Sequence, residues 1–125
     1  MASELRVNTL KDASGNNSVA TSVVFNGTAK AWANINGTST LSTRDSYNVG
    51  STTDNSTGNY TNNFTNNMVN DGFSVSADSQ DATTRTNVHL SFEAQTTSTI
   101  NTIQYEGGSA TDTNRVATMV MGDLA

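Results

Sequence analysis

The chain has 125 residues, a formal net charge of −5, and no cysteine or proline. Its length fits one domain. The acidic balance gives no electrostatic support for binding nucleic-acid phosphates or an anionic membrane surface, and the missing cysteine excludes a disulfide frame, a thiolate metal site and a thiol nucleophile.

Residues Ser3–Leu10 alternate, with Leu5 and Val7 on one face and Arg6 and Asn8 on the other, which predicts a short strand. Asp12-Ala-Ser-Gly15-Asn-Asn is a turn cluster. Val19–Phe25 reads as a second strand closed by Asn26-Gly27. Residues 1–26 read either as the first two strands of the domain or, as the resemblance given below implies, as a neck or docking segment before a β-sandwich knob of residues 27–125.

Ala29, Ala31, Ala33 and Ile35 share one face of the next strand; Lys30, Trp32 and Asn34 share the other. Asn36-Gly37 suits a two-residue hairpin turn with positive φ, and Thr38–Val49 reads as the return strand. Gly50–Gly58 is a loop by composition. Asn59–Met68 places Tyr60, Asn62, Phe64 and Met68 opposite Thr61, Asn63 and Thr65, the pattern of a half-buried antiparallel strand. Asn70-Asp71-Gly72 is a turn before a strand carrying Phe73, Val75 and Ala77. Asp78–Arg85 is a polar loop. Asn87–Ala94 is the most regular strand, with Val88, Leu90, Phe92 and Ala94 facing in. Thr99–Tyr105 is a strand, Gly107–Asn114 a loop, and Arg115–Gly122 a last strand. Both faces of that strand are largely apolar, which places it centrally or at a subunit contact. Short strands with frequent turn signals and no helical period predict an all-β sandwich or barrel-like knob.

Only 34% of the residues are apolar and 14% charged, whereas more than two fifths are Asn, Ser or Thr. Disordered chains are instead rich in Pro, Glu and Lys and poor in β-branched residues. A chain of this size can bury a core. With few large apolar side chains that core is marginal, and sharing it between copies would help, so a homo-oligomer is expected. The N-terminus has neither the basic nor the apolar region of a signal peptide, and no apolar run reaches the length of a membrane span; the chain is expected to be soluble. The six Asn-x-Ser/Thr triplets, from Asn16, Asn26, Asn36, Asn55, Asn59 and Asn63, are expected from composition alone.

Between Ala29 and Ala77 lies an ordered series of motifs. Lys30-Ala-Trp32-x-Asn34-Ile-Asn36-Gly-Thr38 is followed by Arg44-Asp-Ser-Tyr47-Asn-Val49. Then come Thr53-Asp-Asn55, Gly58, Tyr60-Thr61, Asn63-Phe-Thr65 and Met68. This series resembles a segment found in tail-fibre and virion structural proteins of tailed bacteriophages. The resemblance implies an all-β, homotrimeric knob exposed on the particle and located in the virion, assembled in the bacterial host cytoplasm. It also implies partners among tail, fibre-shaft or capsid proteins, and attachment to host-surface polysaccharide. The family's fibres have a long shaft and an anchoring domain before the knob, and here about 25 residues precede the segment. A separate protein is therefore expected to supply the shaft, or the N-terminal arm docks directly, as in a capsid decoration or head-fibre protein. A free glycan-binding module is a further alternative.

No catalytic pattern stands out. A hydrolase needs paired carboxylates or a nucleophile with a positioned base. The only histidine, His89, reads as an ordinary strand residue rather than a metal ligand, and the acidic loop residues lack the regular calcium spacing. No enzyme activity, metal, cofactor, nucleic-acid partner or membrane partner is expected. Contacts to a receptor are expected from amides, hydroxyls and carboxylates on the three loops: Thr53, Asp54, Asn55, Asp78, Gln80, Asp81, Asp112 and Asn114. Trp32, Tyr47, Tyr60 and Phe64 are assigned to the fold.

Overall fold

A computed structural model describes residues 3–80 and 88–125, with side chains from residue 90 onward in the second segment. The expectations for Asp81, for the rest of the loop to Arg85, and for the His89 side chain lie outside the described residues.

The chain is mostly antiparallel β-sheet. Its elements are β1 (Thr9–Lys11), β2 (Ser18–Ala20), α1 (Thr21–Gly27), β3 (Ala31–Asn36), β4 (Ser42–Tyr47), β5 (Val49–Ser56) and β6 (Asn59–Phe64). There follow β7 (Ser74–Gln80), β8 (Val88–Thr96), β9 (Thr99–Glu106), β10 (Ser109–Ala110) and β11 (Arg115–Met121). One sheet has the order β4-β3-β11-β7. The other runs β5-β6-β9, with β8 and the short β10 both paired to β9, and β1 pairs with β2 alone. Central β11 pairs with β3 and β7, as its two apolar faces predict.

Alternation places the core. Ala31, Ala33 and Ile35 of β3, Tyr60 and Phe64 of β6, Ile100 of β9, and Val116 and Val120 of β11 are buried, joined by Met68 and Phe73. These residues form two neighbouring clusters, each drawing on both large sheets. The Phe64 and Phe73 rings meet edge to face at 5.9 Å. The shortage of apolar residues is met by polar residues that satisfy one another. Buried Asn62 donates from Nδ2 to Thr118 Oγ1 across the sheets (2.9 Å) and accepts from Thr52 Oγ1 (2.9 Å). These bonds offset the cost of burying the Asn62 amide.

At the crossover from β4 to β5, Asn48 adopts φ 54°, a region Asn tolerates better than most residues. Its Nδ2 donates to the Lys30 and Asn66 carbonyls (both 3.0 Å), and its Oδ1 accepts the Asn66 amide (2.7 Å). One side chain thus ties three segments together where the chain changes sheets.

Several elements differ from the expectation. Residues 3–7 form no strand, and β1 is only Thr9–Lys11. The turn that follows forms as predicted, with Asp12 at its centre. Burial acts to raise the Asp12 pKa. Hydrogen bonds from the Asn17 and Ser14 side chains and from the Asn16 and Asn17 amides outweigh it and lower the value.

Of Val19–Phe25 only Val19 and Ala20 are strand, in β2, and Thr21–Gly27 is helix. Its β-branched residues favour strand, but Lys30 and Thr28 both donate to the Phe25 carbonyl, and the Lys30 ammonium lies 3.9 Å from the centre of the Phe25 ring. A cation on terminal carbonyls stabilises a helix end.

Gly50–Gly58 is largely strand β5, because its hydroxyls and amides pair with those of β6. Asp78–Gln80 belong to β7 rather than to a loop. Phe92 is 44% exposed and Ala94 also faces solvent: β8 pairs with β9 alone, at an edge of the sheet, and its register shifts after Phe92. Tyr47, expected in the fold, is 53% exposed.

Every described residue before Lys30 is exposed or only half-buried, and the arm joins the body where Lys30 N donates to Val120 O (2.8 Å). Replacing Lys30 with Met (Lys30→Met) removes the helix cap and its ring contact. Limited proteolysis should then cut residues 3–28 several-fold faster, while the fragment beginning in β3 stays resistant.

Candidate functional site

One end of the body gathers parts of the segments expected to make contact, together with the β3–β4 connection, which was not among them. The β3–β4 connection, the β5–β6 turn and the segment from Gly107 to Asn114 meet there, and the register of β11 brings in the end of β7 through the pair Arg115 and Gln80. The arm joins at the opposite end of β3 and β11, where Ala31 pairs with Val120.

Tyr60 organises this end. Its ring is buried in the core and its hydroxyl emerges between the loops. The hydroxyl donates to Asp112 Oδ1 at 2.7 Å and lies 3.1 Å from the Gly37 carbonyl. The same carboxylate oxygen accepts the Gly58 amide at 2.6 Å. Around it, Gly37 N donates to Thr113 O (2.9 Å), Gln104 N to Gly58 O (2.9 Å) and Thr111 N to Gln104 O (3.1 Å). Buried Thr113 Oγ1 donates to Gln104 Oε1 at 2.7 Å.

Two glycines make this closeness possible. A Cβ on Gly37 would collide with the Tyr60 phenol, and Gly58 has φ +70° with Thr111 O 2.7 Å from where a Cβ would stand. Asn36-Gly37 is therefore not the expected hairpin turn with positive φ at both positions. Asn36 ends β3, its Oδ1 accepts from the Thr38 hydroxyl (2.8 Å), and Ser39 takes the left-handed conformation at φ 63°. Gly37 is required by the approach of Tyr60, not by turn dihedrals.

Asp112 is thus a fastener of this end. Asn114 offers its carbonyl to Arg44 Nη2 (2.7 Å), and Gln80 Oε1 accepts from Arg115 Nη1 (3.4 Å). These residues lie together with two guanidinium groups that sequence reading did not select. Thr53 and Asn55 belong to a separate ladder on the outer face of β5 and β6. Thr53 Oγ1 accepts from Asn63, and Asn55 Nδ2 donates to Asn59 Oδ1 and Thr61 Oγ1. Asp54 is exposed on β5 near the Tyr60 hydroxyl, whose ionisation it opposes. Asp78 stands apart on the outer face of β7, where its carboxylate accepts the Ser79 amide (2.8 Å).

Among the described residues no group of three or more His, Cys, Asp or Glu is placed to hold a metal ion. The loop end offers hydrogen-bond donors and acceptors on a fixed frame, which suits recognition of a polar surface. Comparison with family models, curated proteins and solved structures found no match to this chain.

Burial, then the hydrogen bond and charge of Asp112, and the charge of Asp54 hold the Tyr60 proton well above its ordinary value. The folded state therefore binds this proton more tightly than the unfolded chain. The resulting stability is complete below about pH 10 and is lost as pH rises further. Thermal melts should show that loss in the wild type, and Tyr60→Phe should remove this component of the alkaline slope. At neutral pH, Asp112→Asn weakens the charge-assisted bonds to Tyr60 and Gly58. It should cost about 1.5–3 kcal/mol, read as a fall of several degrees in Tm.

Proposed function

We propose that this chain is a structural protein of a bacteriophage virion: a surface-exposed, homotrimeric β-sandwich knob, tail-associated, that attaches to host-surface glycan. The observation that carries the reading is the polarity of the molecule. At one end stands an arm whose apolar side chains face solvent: Leu5 is 80% exposed, Val23 59% and Phe25 52%. At the other end is a cluster of polar loops fastened through Tyr60 and Asp112. A chain that leaves its apolar arm uncovered completes that arm's burial on a partner, and the opposite end is then held outward. The motif series from Lys30 to Met68 supports the phage assignment.

The same arm also favours a second reading, a capsid decoration or head-fibre protein docked by residues 1–26. The partner would then be the capsid rather than the tail or a fibre shaft. A free glycan-binding module leaves the exposed arm without a purpose.

Antibody labelling of intact virions in the electron microscope separates these. Label at the tail is the expected result, and label over the head selects decoration. Clean particles without label overturn the virion reading. Replacing Leu5 and Val23 with Ser should strip the protein from particles while its thermal melt stays within about 1 °C of wild type, because exposed sites change stability little.

A further inference from the structure

The outer face of the β4-β3-β11-β7 sheet is covered by nothing in the described chain, and it differs from the rest of the surface. Tyr47 of β4 stands directly opposite Trp32 of β3, which stands opposite Met119 of β11. The row continues along β11 to Met121. Tyr47 is 53% exposed, Met119 42% and Met121 37%; Trp32 is half-buried. Aromatic residues, Met and Arg are the types enriched in protein contacts.

The charges on this face are balanced and unspent. Asp45 of β4 and Asp78 of β7 lie in the next cross-strand row, opposite Asn34 and Ala117. Among the described residues, each carboxylate accepts only the backbone amide that follows it. Arg44 spans β3 to reach the Asn114 carbonyl, and Arg115 reaches Gln80, both at the loop-side margin of the face. Among the described residues none of the four is in an ion pair; the one salt bridge there joins Arg6 and Glu4 in the arm. Two carboxylates and two guanidinium groups make the face electroneutral, on a chain whose net charge is −5. Copies of an acidic protein repel one another. Here, however, an arginine on one copy can meet a carboxylate on the next while the Tyr47, Trp32 and Met119 row is buried between them.

We propose that the occupant of this face is a second copy of the same chain, so that the outer face of the four-stranded sheet is the contact through which the homo-oligomer assembles. The inference rests on the oligomeric reading given under Proposed function and identifies its interface. An arginine of one copy on a carboxylate of the next is a head-to-tail contact, which closes a ring such as a trimer. The loop end and the arm then remain free at the two ends of the assembly.

The test is the mass of the protein in solution by light scattering, with circular dichroism to verify the fold of each variant. Wild type should elute at a multiple of the 13.1 kDa chain mass. Arg44→Glu with Arg115→Glu should yield folded monomer, because the face then carries four negative charges. Asp45→Arg with Asp78→Arg should do the same with four positive charges. Tyr47→Ser with Met119→Ser should weaken assembly at least tenfold. A monomeric wild type overturns both the oligomeric reading and this interface. A wild-type oligomer that all these variants retain overturns the interface alone. Unchanged mass together with lost binding to a glycan array would assign the face to a sugar instead.

Discussion

The hydrogen bond between Tyr60 and Asp112 is the constraint on which the shape of the loop end depends. It joins a residue of β6, deep in the core, to a segment more than fifty positions later in the chain. A phenol can do this because its ring serves as core and its hydroxyl as a fastener. The partner carboxylate also holds the Gly58 amide, so the β5–β6 turn and the approach to β11 cannot separate without breaking charge-assisted bonds. Gly37 closes the third side, since only a residue without Cβ leaves room for the phenol oxygen. Three connections therefore behave as one unit fixed to the core.

The same economy runs through the body. The sequence is poor in apolar residues, and the core makes up the shortfall with hydrogen-bonded polar pairs. Asn62 with Thr118 and Thr52, and Gln104 with Thr113, join segments that hydrophobic contact alone would leave apart. Such pairs contribute modestly when made and cost more when one partner is lost. Asn48 does similar work for the backbone at the crossover between sheets. Amides and hydroxyls thus have two roles: some specify the interior, and others, such as Asn55, Asn59 and Thr61, form a ladder on the outside. Function is read at the surfaces the interior leaves open, namely the fastened loop end, the apolar arm and the neutral outer face of one sheet.

Much of this was legible in the residues where alternation was strong. Ala31, Ala33 and Ile35 were read onto the inner face of β3, and Tyr60, Phe64 and Met68 onto the buried side of their segment; all six are buried. The centrality of β11 followed from its two apolar faces. Composition misled where it stood in for pairing. Gly50–Ser56 looked like a loop because both faces are polar, but its side chains bond across to β6. Phe92 looked internal because alternation does not show that a strand, here β8, lies at a sheet edge. The helix over residues 21–27 depends on Lys30, which lies beyond it in sequence. The role of Asp112 could not be read at all: nothing local links it to Tyr60, and it was selected as a contact residue for its loop composition alone. Arg44 and Arg115 were passed over because each is unremarkable until strand pairing brings them to one margin.

The most direct test of the account is native-state hydrogen exchange across the wild-type chain. The account places the amides of Gly37, Gly58, Gln104 and Thr111 in one fastened unit, and the residues before Lys30 outside the cooperative body. Those four amides should exchange as slowly as the central amides of β6 and β9, while the arm exchanges orders of magnitude faster. If Gly37 and Gly58 exchange as fast as the arm, the Tyr60–Asp112 clamp does not fix the loop end, and the central claim is wrong.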